Sequence, residues 1–366
     1  MPALQRLERF GIVLILGISG TELSDEDKRA LGELKPIGVI FFAKNFVDGV
    51  PYEVWLETFQ ELHSQIQLEY AERDSMFFTL DHEGGRVVRT PLPITRFPQA
   101  LLLRSHAREV AKATAIELKS EGINLSWSPV ADIYSHPQNP EIGSRAFGNT
   151  PETAATGARE LYYLGLTEAG IVGCAKHFPG HGDTSKDSHV ELPILNLTPE
   201  ELRRRELIPF QKALIEEGIP QLIMTAHILF PKIDPDLPAT LSRQPILKTI
   251  LREELGFQGV VVSDDLDMKA VSDMFMERGT VARAFNAGCD LFIVSRNIHA
   301  SSIERTYKIA ENFADALTDG SLAESVVDSA KERIERLLAV TPEYSVQMLD
   351  KDTLVHHGEL AIACCF

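Results

Sequence analysis

Residues 176–193 read KHFPGHGDTSKDSHVELP and gather three histidines, two lysines and two aspartates into eighteen positions. Two glycines and two prolines in the same stretch exclude a regular helix or strand, so these titratable groups ride on a loop. Such a set could ligate a metal, relay protons or line a polar surface. His181, Asp183, Asp187 and His189 offer nitrogen and oxygen donors, but no HExxH or cysteine cassette accompanies them. The triplet Asp187-Ser188-His189 suits proton transfer better. A carboxylate two residues from a histidine can accept one ring N–H, fix the tautomer and leave the other nitrogen to carry a proton. Ser188 adjoins this pair but lacks a G-x-S-x-G setting for a nucleophile.

Elements that could position these groups are legible on both sides of the loop. Short, wholly apolar runs are predicted as strands at 12–18, 37–42, 76–81, 123–130, 171–176, 221–227, 259–264 and 290–295. Amphipathic segments between them predict helices over 52–70, 102–120, 151–169 and 198–218. Two more are predicted after the eighth strand, at 302–318 and 323–338. The helix at 198 opens with Thr198 as N-cap, Pro199 in its first turn and Glu201 three residues after the cap. Eight alternations of strand and helix point to a single α/β (β/α)8 TIM-type barrel with an extended catalytic loop after strand 5. A doubly wound open sheet is the alternative. Residues 1–341 are expected to form the barrel and 342–366 a tail packed on it, most simply across its base.

Polar residues collect where the runs end. Asp81-His82-Glu83-Gly84-Gly85-Arg86 follows strand three, Asp132 follows strand four, and Lys176-His177 closes strand five. His227 closes strand six, Ser263-Asp264-Asp265 strand seven and Ser295-Arg296-Asn297 strand eight. A barrel carries its chemistry on that face. Each group also has a plainer reading. Asp264 or Asp265 could cap a helix near Leu266, Gly84-Gly85 could be a tight turn, and His227 could be a hydrogen-bonded core histidine. Lys176 ends a buried strand, where an unpaired ammonium is costly, so it demands an anionic or polar partner. A strand-end carboxylate, a separate acid/base and several polar groups to hold a polyol together fit retaining glycoside hydrolysis.

Composition removes other classes. A net charge of −17 argues against binding nucleic acid or anionic lipid. Cys174, Cys289, Cys364 and Cys365 form neither a zinc cassette nor a disulfide framework, which favours a reducing, cytoplasmic location. The run GIVLILGISG at 11–20 follows two arginines but is too short for a membrane span and lacks a cleavage site, so it reads as a strand.

KHFPGHGDTSKDSH together with GVVVSDDLDM resembles glycoside hydrolase family 3, in particular its bacterial N-acetyl-β-glucosaminidases of cell-wall recycling. GVIFFAKN, LDHEGGRVVR, NPEIGSRAFG, PATLSR and AGCDLFIVS match in the same order across roughly residues 10 to 300. The resemblance implies that Asp264 is the nucleophile that forms a covalent glycosyl-enzyme. His189 would be the general acid/base and Asp187 the carboxylate that orients it. Asp81, Arg89, Arg145, Lys176 and His177 would bind the N-acetylglucosamine unit, while His181 and Asp183 shape the loop. It implies action on β-1,4-linked anhydromuropeptides. A monomer with no metal or cofactor is expected, and because the Asp187-His189 pair rides on a loop rich in glycine and proline, that loop is expected to close during turnover. A phosphorylase or a β-glucosidase of the same family is the alternative. A sugar-binding barrel without activity and a metal-dependent hydrolase are the readings from other classes.

Overall fold

The computed structural model describes residues 3–69, 75–185, 191–211, 215, 221–298, 302–343 and 345–365. Strands β1 (Leu14–Gly17), β2 (Gly38–Phe41), β3 (Phe77–Leu80), β4 (Leu125–Ser126), β5 (Val172–Gly173), β6 (Ala175–Phe178), β7 (Leu222–Thr225), β8 (Val260–Asp265) and β9 (Leu291–Val294) form one parallel sheet. Its order is β5-β4-β3-β2-β1-β9-β8-β7-β6. First and last strands meet in register, with Leu14 opposite Phe292. The two ends of that order are a single stretch of chain, so the sheet closes into a TIM-type (β/α)8 barrel.

The fifth predicted strand is divided at Cys174. Val172 and Gly173 pair with β4, whereas Ala175 and Phe178 pair with β7. Across the break, Cys174 N–H donates to the Ser128 carbonyl at 2.7 Å and Lys176 N–H to the Pro129 carbonyl at 3.1 Å. Ala131 N–H returns a bond to the Lys176 carbonyl at 2.6 Å, completing a parallel bridge between Val130 and Lys176. The other strands lie where the apolar runs predict them, with ends displaced by one or two residues; β8 runs one residue further, to Asp265. β4 is the exception, shrinking from eight predicted residues to Leu125–Ser126.

Along β2, Ile40 faces the barrel mouth while Phe41 packs outward on Phe59, ring centroids 4.9 Å apart, the period-2 alternation of a strand. On β9, two strands along, Phe292 packs on Phe285 at 4.8 Å. Two predicted helices are interrupted. The Thr198–Glu201 capping box forms as expected, but the helix Pro199–Arg204 stops at Arg205 (φ −127°, ψ −75°), and Pro209 opens the next turn. The 151–169 segment is helical with one wide turn at Gly157–Tyr163.

At the base, Asp290 accepts from Arg252 at 2.8 Å, Arg333 at 2.7 Å and Val261 N–H at 2.9 Å, tying the helix Glu324–Val340 to the strand roots. The tail meets the base where Gln347 N–H reaches the Ser120 carbonyl at 2.8 Å, beside a bridge between Val346 and Glu121, and Leu349 N–H reaches the Tyr52 hydroxyl at 3.2 Å. Its helix Lys351–Ala363 then runs along the flanking helix Ala107–Ser120, where His357 Nδ1 meets Glu117 Oε1 at 2.8 Å. Among the described residues, no helix is long and apolar enough to cross a membrane.

Candidate active site

The carboxyl ends of the strands surround a cleft of ≈ 240 Å³. Asp264 and the five residues expected to bind the sugar, Asp81, Arg89, Arg145, Lys176 and His177, line it together, and Arg86, His181, Asp265, Ser295 and Asn297 join them. Asp187 and His189 lie outside the described residues. Ile40, Phe42, Trp127, Met224 and Met268 supply apolar wall.

Lys176 leaves β6 fully buried with its ammonium 2.6 Å from Asp81 and 2.7 Å from Glu83, the anionic partners its position demands. Burial alone would lower this ammonium's pKa; the two carboxylates instead hold it above the ordinary lysine value. Arg145 grips Glu83 with two parallel bonds of 2.8 and 2.9 Å. Burial works against a charged Glu83, but Arg145 and Lys176 outweigh it and hold the carboxyl well below the usual glutamate range. Arg89 completes the cluster, 3.8 Å from Asp81 and with its guanidinium over the Phe42 ring. Three cations thus meet two carboxylates under an open cleft, a surface rich in donors for hydroxyl and amide oxygens.

The chain around Glu83 must turn sharply for this. Gly84 has φ +84°, and a Cβ there would stand 2.6 Å from the Pro98 carbonyl oxygen. The tight turn is therefore real, and it delivers Glu83 beneath the cleft.

His177 is oriented by a carboxylate. Asp132 Oδ2 lies 2.7 Å from its Nδ1, while Oδ1 accepts His181 N–H at 2.6 Å. Burial would raise the Asp132 carboxyl; His177 and His181 keep it below its ordinary value. With Nδ1 engaged, Nε2 is the nitrogen left to face a ligand. His181 bonds to Thr184, and burial lowers its pKa to about 4, so it is a neutral structural ring at pH 7. Asp183 pairs with Arg205 at 2.5 Å. Among the described residues no three His, Cys, Asp or Glu groups converge to hold a metal ion.

Neither aspartate at the end of β8 caps a helix. Asp264 Oδ1 accepts the N–H of Asp265 at 2.8 Å and the side chain lines the cleft. Asp265 is occupied by Ser295, whose N–H and hydroxyl donate at 3.0 and 2.5 Å. Burial and the nearby Asp267 push the Asp265 carboxyl up. Both aspartates line the cleft, and Asp265 is the one held by Ser295. His227 is a core histidine, bonded to Thr240 at 2.9 Å and to the Asp265 carbonyl at 3.2 Å, its pKa lowered by burial. Arg296 turns away from the cleft to Asp27 and Glu26.

Glu83 and Asn139 carry much of this geometry, and no role was read for either in the sequence. Two buried cations at 145 and 176 needed more than Asp81 to balance them, and the acidic LDHEGGR motif held the answer. Asn139 sits in NPEIGSRAFG, where only a polar residue fully engaged by backbone would explain its burial.

The sequence model of the glycosyl hydrolase family 3 N-terminal domain matches residues 12–337. Beta-hexosaminidase A of Pseudoalteromonas piscicida is 33% identical over 332 residues, which cover 85% of this chain; the chain spans only 54% of that relative's length. The structure of a glycoside hydrolase family 3 beta-N-acetylglucosaminidase from Paenibacillus sp. str. FPU-7 superposes with a TM-score of 0.85 at 34% identity, over 98% of this chain and 67% of that one. NagZ from Neisseria gonorrhoeae in complex with N-trifluoroacetyl-D-glucosamine superposes with a TM-score of 0.75 at 28% identity, over 97% and 98% of the two chains. The family match and the cleft at the barrel mouth lead to one conclusion: the chain belongs to glycosyl hydrolase family 3 and is a glycoside hydrolase.

Proposed function

We propose that this protein is a retaining exo-β-N-acetylglucosaminidase that removes the terminal non-reducing N-acetyl-β-D-glucosamine from β-1,4-linked anhydromuropeptides. One observation carries the reading: Asp264 shares a cleft with the braced cluster of Asp81, Arg89, Arg145, Lys176 and His177. The names of the family relatives, beta-hexosaminidase and beta-N-acetylglucosaminidase, support the choice of sugar. The N-trifluoroacetyl-D-glucosamine bound to the Neisseria protein supports it too.

The cluster would hold the ring hydroxyls and the acetamido group, Asp81 accepting from hydroxyls and Arg145, Lys176 and His177 donating. Asp264 would attack the anomeric carbon as the exocyclic C–O bond breaks. His189, with one ring N–H accepted by Asp187, would give its other ring proton to the departing oxygen. In the second half, His189 would take a proton from water as that water displaces Asp264, which restores the carboxylate with net retention. No metal or cofactor has a part in this scheme. Action as a monomer in the cytoplasm, on fragments released during wall turnover, belongs to the same proposal.

The test is nitrophenol release from the aryl N-acetyl-β-glucosaminide and from the matching β-glucoside, with and without phosphate and a chelator. Activity on the N-acetyl sugar alone, indifferent to both additions, is expected. Strong stimulation by phosphate with a sugar phosphate as product would replace hydrolysis by phosphorolysis. Preference for the glucoside would overturn the sugar assignment.

A further inference from the structure

We infer that Asn139 is a positioning residue that locks the loop bearing Arg145 to the root of the loop that leads to Asp187 and His189. The inference rests on the proposed glycosidase reading for its catalytic consequence, although not for its structural one.

Asn139 is buried, and both ends of its amide are used on backbone. Its Nδ2 faces three oxygens: the His181 carbonyl at 2.9 Å, the Gly182 carbonyl at 3.0 Å and the Thr184 hydroxyl at 3.1 Å. Its Oδ1 faces two donors, Glu141 N–H at 2.9 Å and Ile142 N–H at 2.7 Å. This fixes which end of the amide is which, because a flipped side chain would set oxygen against three acceptors.

Each end governs a different part of the site. On the Oδ1 side, Ile142 is buried on Val130 and Ala146, and its carbonyl accepts Arg145 N–H at 2.9 Å. The turn held by Asn139 therefore sets the position from which Arg145 reaches Glu83. On the Nδ2 side, the bonded stretch ends at Thr184, three residues before Asp187 in sequence. That stretch has little freedom elsewhere: a Cβ on Gly182 would stand 1.7 Å from the Ile133 carbonyl oxygen. The turn before Arg145 and the 181–184 root of the loop are thus set from one amide.

Asn139→Asp separates the two ends, since it keeps the acceptor that holds Glu141 and Ile142 but turns the donor into an oxygen facing three oxygens. Asn139→Ala removes both ends. Hydrogen–deuterium exchange on the full chain without ligand reads the coupling directly. Asn139→Asp is expected to speed exchange roughly ten-fold at 181–185 while sparing 141–146, and Asn139→Ala to speed both. Thr184→Val, which deletes one of the three acceptors, should move 181–185 in the same direction by less, and it keeps the test informative if Asn139→Ala folds poorly.

Kinetics then reads the catalytic consequence. Asn139→Asp should lower turnover on a disaccharide, whose leaving group needs protonation, roughly ten-fold more than on an activated aryl glycoside. Protection at 181–185 like that of the wild type would overturn the inference. So would equal losses on the two substrates, which would mark a merely structural residue. A wild type inert on N-acetylglucosaminides would instead sink the glycosidase reading and leave the exchange result standing for the coupling.

Discussion

Replacing Glu83 by glutamine should cost this protein more than any other single change at the cleft that leaves shape intact. The carboxylate is itself buried beneath the cleft and takes two bonds from Arg145, 2.8 and 2.9 Å, and one from Lys176, 2.7 Å. At an effective dielectric of roughly 20 and a charge separation near ~4 Å, each pair is worth about 4 kcal/mol. Removing one partner of a buried pair typically costs about 3–5 kcal/mol, because the other charge stays buried. Here Asp81 still faces Lys176 and Glu141 still lies 3.7 Å from Arg145, so the lower end, about 3 kcal/mol, is expected. The pH dependence is a sharper check. Glu83 is depressed below its ordinary 4.5, so its contribution is present above 4.5 and lost as pH falls toward the lower folded value. Lys176 is raised above 10.5, so its contribution is present below 10.5 and lost as pH rises through the folded value. Thermal or urea unfolding of wild type and Glu83→Gln from pH 3 to 8 should show a constant gap down to about pH 5 that narrows below it. KM for the sugar should rise roughly ten-fold as Arg145 and Lys176 lose their brace, a loss of about 1.4 kcal/mol in binding. Equal stability at pH 7, or a gap that persists undiminished at pH 3, would refute the account of this cluster.

Three further changes probe separate parts of the molecule. Asp264→Ala should abolish turnover, by at least roughly a thousand-fold for loss of a nucleophile, while thermal stability stays equal or rises; residual turnover near wild type would remove Asp264 from the mechanism. His189→Ala should depress turnover of the disaccharide far more than that of activated aryl glycosides, and equal losses would assign His189 a structural part. Glu206 is buried beside Gly180, and burial pushes its carboxyl up to about 7 despite Arg205. A raised acid contributes its stability in full below 4.5 and loses it as pH rises through about 7, so Glu206→Gln should gain on the wild type between pH 5 and 8. The upper bound is about 3 kcal/mol, and a gain that does not grow with pH would contradict the burial of a charge there.

Strand positions were legible because buried parallel strands carry unbroken apolar runs, and IGVIFF or GVVVSD can be little else. The division of IVGCAK at Cys174 was not, since apolar character is the same on both sides of the seam and only pairing partners change. The helix after Thr198 was legible at its start, where a capping box is local chemistry. Its early end was not, because Arg205 departs from helical geometry where it reaches Asp183 and Glu206. Cleft residues were legible where strand ends announce them, as at Asp81, Lys176 and Asp264. Glu83 and Asp132 also stand at strand ends, but they and Asn139 act through partners 42 to 62 positions away in sequence, and such distances leave no local pattern to say what they touch. For the tail, apolar composition signalled packing; the route along helix Ala107–Ser120 depends on the His357–Glu117 bond, which no spacing reveals.

The hydrogen bond between His177 and Asp132 also turns one ring into an internal reporter. A proton held on Nδ1 against a buried carboxylate at 2.7 Å exchanges slowly with water and resonates far downfield of the amide envelope. The His357–Glu117 pair gives a proton of the same kind far from the cleft, so the line that shifts when a sugar settles against Nε2 is the one from His177. Occupancy of the cleft could then be titrated by proton spectroscopy in variants that no longer turn over, where every colorimetric assay is blind.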